Sequence, residues 1–307
     1  MSSGGHGRKA VIAALLANLG IAAAKLVAFV ITRSASMLAE SVHSLADSGN
    51  QGLLLLGESQ AKKSATPEHP FGYGSARYFW SFVVAVVLFT VGGAFALYEG
   101  YEKLRHPHEV ESYTVAIIVL LVAIVLESYS MRTAVRETKP HLRGRSYWRF
   151  IKESKTAELP VVLLEDAAAL LGLVIALAGV GLTATTHEPR WDALGTMTIG
   201  ALLVGVAIIL AIEMHSLLIG EAASPSEIAA IEQALVAEPD FERVIHLRTM
   251  HLGPDELLVA AKVATPCGGS TDRLAEQIDE AEVRIREAVP SARLVYIEPD
   301  LYRPAKS

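Results

Sequence analysis

The sequence predicts a polytopic α-helical membrane protein with six transmembrane helices, followed by a small two-layer α+β domain. Three observations carry that reading. The 307 residues are 51% hydrophobic, with a mean hydropathy of +0.37. Six apolar runs are each long enough to cross a bilayer as a helix, which takes about 20 residues. After Gly220 the chain becomes charged and mixed in composition. The expected division is a membrane domain over 1–222 and a soluble domain over 223–307.

The apolar runs are roughly Ala10–Thr32, Ser34–Gly57, Arg77–Leu104, Tyr113–Val135, Thr156–Leu182 and Trp191–Ile219. They are continuous, which implies helices rather than the short alternating strands of a barrel. Met1–Lys9 is short, polar and basic, and the run after it is too long for a signal-peptide core. It reads as a retained first span. Lys62, Lys63 and Arg77 lie between the second and third runs. Arg132, Arg136, Lys139, Arg143, Arg145, Arg149, Lys152 and Lys155 lie between the fourth and fifth. The other connections are poorer in cations, with Arg33, then Lys103 and Arg105, then Arg190. The positive-inside rule puts the two basic connections and both termini in the cytoplasm, with the chain in the cell (inner) membrane.

Net charge is −6, and nothing in the pattern suggests nucleic-acid binding. The single cysteine, Cys267, allows no intrachain disulfide and reads as a small packed residue. No nucleophile–base pair, nucleotide loop or HExxH motif points to an enzyme.

The chemistry concentrates in the second run. Glu40, His43, Asp47 and Asn50 fall at i, i+3, i+7 and i+10, so they share one helical face. Ionisable side chains at membrane depth are costly and mark ion pathways. His43 and Asp47, one turn apart, are two metal ligands pointing into the same space. In the first run Asn18 and Lys25 share a face. Lys25 either snorkels outward or pairs with an acid inside the bundle, such as Glu40. Gly92-Gly93 in the third run permits close helix approach. Glu127 lies near the inner end of the fourth, where it meets the interface. The fifth opens with Pro160, then carries Glu165 and Asp166. Glu165 is centred on a stripe of small residues, Ala169, Gly172, Ala176 and Gly179; Asp166 is rotated by about 100°. Helices pack closely along such stripes, so the acidic pair faces another helix.

The candidate metal ligands are therefore His43, Asp47, Asp166 and Glu165. Asn50 reads as an interhelical hydrogen bond and Glu40 as a partner of Lys25 or part of the ion route. An imidazole with carboxylates suits Zn²⁺ and admits Mn²⁺, Fe²⁺ or Co²⁺, and no thiolate is available for Cu⁺. Metal requires deprotonated ligands, so protons compete with it and can drive it, with His43 as the carrier. The expected function is movement of a divalent metal across the bilayer against protons; a membrane metal sensor is the alternative.

The last part reads α-β-β-α-β. Ser224-Pro225-Ser226-Glu227 starts a helix that runs to about Glu238, before Pro239. Arg243–His251 and Glu256–Thr265 are strands around Gly253-Pro254-Asp255. Ser270–Ala288 is an amphipathic helix, and Arg293–Glu298 a last strand stopped by Pro299. His246, His251, Asp255 and Glu298 read as ordinary residues of a soluble domain, and His106 and His108 as solvated loop residues.

These stretches together resemble the cation diffusion facilitator family of divalent-metal transporters, over nearly the whole chain, and most of all its zinc transporter 9-like branch. The resemblance rests on four motifs. The first is Ser34-Ala35-Ser36-Met37-Leu38-Ala39-Glu40-Ser41-Val42-His43-Ser44-Leu45-Ala46-Asp47-Ser48-Gly49-Asn50-Gln51, with its HxxxD. The others are His69-Pro70-Phe71-Gly72-Tyr73-Gly74, Val162-Leu163-Leu164-Glu165-Asp166 and Leu218-Ile219-Gly220-Glu221-Ala222. The resemblance implies a homodimer joined through membrane helices and a cytoplasmic ferredoxin-like domain. It also implies exchange of Zn²⁺, or in some branches Mn²⁺, Fe²⁺, Co²⁺ or Cd²⁺, for protons. The implied site pairs HxxxD in the second span with a matching pair in the fifth. Three departures stand out. Val162 occupies the first ligand position of the fifth span, leaving Asp166. Tyr73 takes the place of a second loop histidine beside His69. Ile245, Ala261 and Tyr296 fall where cytoplasmic ligands are expected, leaving Glu298.

Overall fold

The computed structural model describes residues 19–107, 112–142, 144–155, 158–237, 241–265 and 270–302. Met1–Lys9, Asn18, His108, Arg143, Glu238, Pro239 and Cys267 lie outside the described residues, as do the starts of the first and fifth runs at Ala10 and Thr156. The chain divides into two compact units, Met1–Glu58 with Phe79–Met214, and Ser59–Tyr78 with His215–Ser307.

The first unit is helical. Its elements are α1 (Leu19–Thr32), α2 (Ala35–Ala61), α3 (Ala76–Arg105), α4 (Tyr113–Thr138), α5 (Tyr147–Glu153), α6 (Glu158–Thr186) and α7 (Arg190–Ile219). Four of these, α3, α4, α6 and α7, are long and apolar enough to cross a membrane. The described part of α1 is apolar but shorter, and α2 has the length, 27 residues, but carries the polar row. The unit is inverted relative to a water-soluble bundle. Val27, Val125 and Ile212 are 59%, 68% and 62% exposed, while Lys25, Glu40 and His43 are at most 1% exposed. That distribution suits hydrocarbon outside and polar chemistry inside.

One polar knot ties four segments of this unit. Arg33, at φ 54°, turns the chain from α1 into α2. The Ala35 amide and Ser34 Oγ then donate to the two oxygens of Asp192, both at 2.9 Å. Lys103 Nζ, from the end of α3, donates to Asp192 Oδ2 at 3.1 Å and to the Arg33 carbonyl at 3.2 Å. Thr183 Oγ1 of α6 accepts from the Asp192 amide. A carboxylate at a helix N-terminus satisfies free amides and complements the dipole. Here it does so fully buried, and Lys103 balances its charge.

Small residues set the helix spacing. A Cβ on Gly93 of α3 would stand 2.7 Å from Val204 Cγ2 of α7, and one on Gly200 of α7 would stand 2.7 Å from the Leu97 amide. Close approach at Gly93 is therefore realised against α7. Ser146 caps α5 by accepting from the Arg149 amide, and the helix tucks Ile151 against Ala134 of α4 and Leu163 of α6.

The C-terminal region is mixed α/β, in the expected order. Its elements are α8 (Pro225–Leu235), β1 (Arg243–Gly253), β2 (Glu256–Ala264), α9 (Thr271–Ala288) and β3 (Leu294–Asp300). The Ser224 capping box is formed in full. β1 and β2 pair antiparallel, β2 and β3 parallel, with β2 central. Alternate residues of β2, Leu257, Val259, Ala261 and Val263, meet Ile231 and Leu235 of α8 and Ala281 and Ile285 of α9 in one core. Each fully buried Leu or Ile there contributes about 2 kcal/mol. Pro299 does not stop the last strand, which runs through it to Asp300. β3 is an edge strand, and an edge can leave the missing amide of a proline on its unpaired side.

Two close approaches organise this second unit. Gly220 leaves α7 at φ 113°, and a Cβ there would meet Met250 of β1 at 2.7 Å. The following Glu221 carbonyl accepts from the His251 amide. The 59–78 segment seats Gly74 directly on Gly253, where a Cβ on Gly253 would stand 2.9 Å from the Gly74 Cα. Arg77 pairs with Asp255 at 3.1 Å beside it. Gly253→Val is expected to lift the 59–78 segment off the β1–β2 turn while the β-sheet core remains folded. Hydrogen exchange measures this as faster exchange within 66–77 alone. Unchanged protection there would show that the glycine contact does not hold the segment.

Candidate metal centre

A hairpin about Arg33 sets Lys25, eight residues before it, level with Glu40, seven after it. Lys25 points inward: its Nζ donates to Glu40 Oε2 at 3.1 Å and to Ser44 Oγ at 2.7 Å. The snorkelling alternative is overturned, because an acid at the same depth offers the ammonium a partner that lipid cannot. Glu40 is fully buried and turns its second oxygen, without a hydrogen bond, toward α6, where a Cβ on Gly172 would stand 2.8 Å from it.

Further along the same face of α2, Asn50 donates to Glu165 Oε1 at 2.7 Å, joining α2 to the small-residue stripe of α6. Glu165, Ala169, Gly172, Ala176 and Gly179 are all buried, as that stripe requires. Asp166, rotated off it, accepts from Ser130 of α4 at 3.0 Å. So the acidic pair is divided between two neighbours.

Between these two anchors lie His43 and Asp47. His43 Nε2 faces Asp47 Oδ2 at 3.5 Å, a contact along one turn and too long for a hydrogen bond. Neither ring nitrogen of His43 makes a hydrogen bond, nor does Asp47 Oδ1, although these atoms are shielded from solvent. Buried polar atoms without partners are costly, about 1–3 kcal/mol each. The π-helical turn Leu88–Ala94 of α3 brings Gly92 alongside, where a Cβ would stand 3.9 Å from His43 Nδ1. Single π turns inside α-helices often sit at functional sites.

A cavity of about 30 Å³ adjoins Asp47. Its walls include Ser44, Asp47 and Gln51 of α2, Glu127 and Ser130 of α4, and Val162, Glu165 and Asp166 of α6. That volume holds one ion or a water or two. Three predicted ligands, Asp47, Glu165 and Asp166, line it, and His43 stands behind Asp47. They do not form a finished coordination shell: among the described residues no three His, Cys, Asp or Glu side chains converge tightly enough to hold a metal ion. Asn50 and Ser130 hold Glu165 and Asp166 to their own helices' neighbours instead.

Sequence reasoning missed Glu127, placed at the interface by its position in the run, yet it faces this cavity. The available signal was its spacing to Ser130, one turn on, which puts both on one face of α4. Outside the bundle, His69 stacks on Tyr73 with ring centroids 4.5 Å apart. Glu298 is matched by an internal cation, Lys262 Nζ, which lies 3.0 Å from it and 3.1 Å from Asp300. Hydrogen bonds that the Lys262 ammonium donates to Glu298 and Asp300 hold its pKa above the usual range.

Residues 11–219 match the cation efflux transmembrane domain family. The chain belongs to the cation efflux family. Its relatives include the mitochondrial proton-coupled zinc antiporter SLC30A9 of Xenopus laevis, 35% identical over 78% of this chain and 43% of that protein. The human SLC30A9 protein is 34% identical over 78% of this chain and 42% of its own length. Metal tolerance protein C4 of Arabidopsis thaliana is 27% identical over 84% of this chain and 57% of that protein. The chain thus spans less than half the length of the zinc antiporters it matches. Cation efflux membership bears out the reading of a multi-pass membrane protein from a family of secondary transporters rather than enzymes.

The buried Lys25–Glu40 pair makes its own prediction. Lys25→Met leaves Glu40 uncompensated and is expected to cost about 3–5 kcal/mol. The neutral double variant Lys25→Met with Glu40→Gln should recover most of that loss. Thermal unfolding of the detergent-solubilised chain measures both. A single variant as stable as wild type would show that the pair does not bind α1 to α2.

Proposed function

We propose that this chain carries divalent metal ions, Zn²⁺ foremost, out across a membrane in exchange for protons. The metal would bind between α2 and α6, on His43 and Asp47 with Asp166 and Glu165. One observation carries the reading. Along the polar row of α2, Glu40 and Asn50 have partners from other helices, while His43 and Asp47 have only each other, at 3.5 Å. A buried imidazole and a half-buried carboxylate, left without other partners beside an acidic cavity, have the chemistry of metal ligands. The zinc antiporters among the relatives support Zn²⁺ and proton coupling.

On this reading α1 and α2 span alongside α3, α4, α6 and α7, making six spans in a membrane domain over 1–222. The 2–3 and 4–5 connections and both termini share the cytoplasmic side of the cell membrane. The cavity lies toward that end, since Gln51 is in the second half of α2 and Val162 in the first turns of α6. Metal and protons compete for the same lone pairs, so each releases the other. Alternate exposure of one site to the two faces then couples the two flows. The open face of the C-terminal sheet, with Tyr296 56% exposed, is where residues 223–307 would join a second copy into a dimer.

His43→Ala and Asp47→Ala are each expected to abolish proton-driven Zn²⁺ flux into vesicles containing the purified chain, with elution on size exclusion unchanged. Wild-type flux by Asp47→Ala would sink the assignment. Glu165→Gln against Asp166→Asn decides the α6 half: Asp166→Asn is expected to be the more damaging, and the reverse order would move the ligand to Glu165.

A further inference from the structure

We propose that Glu127 of α4 is a ligand of the transported divalent cation, supplying from a third helix the carboxylate that Val162 of α6 does not. The proposal rests on the metal-site reading above and extends it.

Glu127 and Ser130 lie one turn apart and both border the cavity, so this face of α4 is turned toward the site. Ser130 already reaches across to Asp166 at 3.0 Å, which fixes α4 against α6 at this level. Val162 lies one turn before Asp166 and borders the same space with an apolar side chain. Four carboxylates from three helices, Asp47, Glu127, Glu165 and Asp166, therefore surround about 30 Å³. Carboxylates that share one space hold protons when no cation lies among them, and a divalent ion entering would displace those protons. Lys25, the ammonium buried nearby, is committed to Glu40 and Ser44. An independent observation points to a ligand in the same place. His43 is 1% exposed, both its ring nitrogens lack hydrogen bonds, and Nε2 is directed at the Asp47 wall of the cavity.

The chemistry names the class. Glu165 and Asp166 have donors in Asn50 and Ser130, whereas His43 and one oxygen of Asp47 do not. A divalent ion drawn toward His43 would take the imidazole and Asp47 first, and Glu127 offers a third group from the α4 wall. One nitrogen and two or three oxygens form a set that Zn²⁺ accepts and Mn²⁺ also tolerates.

The test is Zn²⁺ flux by the full chain in vesicles, with KM and maximal rate resolved, and zinc chloride titrated calorimetrically into the solubilised chain. Glu127→Gln is expected to raise KM and weaken zinc binding at least about tenfold, a loss seen even for groups that only orient ligands. Val162→Asp in the Glu127→Gln background is expected to restore much of the loss, since it returns a carboxylate to the same cavity. Glu137→Gln, exposed on the same helix, should behave as wild type. A wild-type KM for Glu127→Gln overturns the proposal, as does failure of Val162→Asp to improve on it. Should Glu127→Gln aggregate, Glu127→Asp carries the test. It keeps the charge and shortens the reach, and an unchanged KM overturns the proposal equally. Asp47→Asn separates the two levels. Lost flux with Asp47→Asn beside normal flux with Glu127→Gln removes only the role of Glu127. Normal flux with both removes the metal site itself.

Discussion

A charge buried in an apolar bundle must meet an opposite charge or a set of donors, and this constraint sorts the acidic residues that join the helices of this unit. Asp192 meets Lys103, the Ala35 amide and Ser34. Glu40 meets Lys25. Glu165 meets Asn50, and Asp166 meets Ser130. Taking even one of these ions out of water costs several kcal/mol, so each partner is a condition for the helix to lie where it does. Among the described residues of the polar row on α2, His43 and Asp47 are left over after this sorting. Their lack of partners is informative because their neighbours have them.

The same constraint explains what could be read in advance. The face shared by Glu40, His43, Asp47 and Asn50 follows from helical periodicity alone, and the small-residue stripe of α6 places Glu165 inward by the same rule. The C-terminal elements were legible because their ends are marked chemically, by the Ser224 capping box and by glycines at turns. Three features were not legible. Whether Lys25 turns in or out depends on a hairpin that sets it level with Glu40, a tertiary fact. Glu127 shares no motif with α2, and only the packing of α4 on α6 brings it to the cavity. Pro299 ends a strand by local propensity, yet the strand continues, because propensity does not know that β3 is an edge.

The C-terminal unit handles its charges by another route. Lys262, Glu298 and Asp300 sit on adjacent strands in register, so the cross-strand pairing of β2 and β3 produces their contacts. Such exposed pairs contribute little to stability, but they leave Glu298 less available to an ion. The 59–78 segment and the turn after α7 both rest on β1 and its turn, through Gly74 on Gly253 and Met250 on Gly220.

The Asp192 knot has a mechanical meaning. It clamps the first turn of α2, so a tilt of that helix would pivot at Ala35. At about 1.5 Å per residue, His43 lies about 12 Å and Asn50 about 22 Å from the pivot. A tilt of about 10° there would carry them about 2 Å and about 4 Å respectively, by the same helical rise. The Asn50–Glu165 hydrogen bond would part well before His43 and Asp47 had moved by the width of an ion.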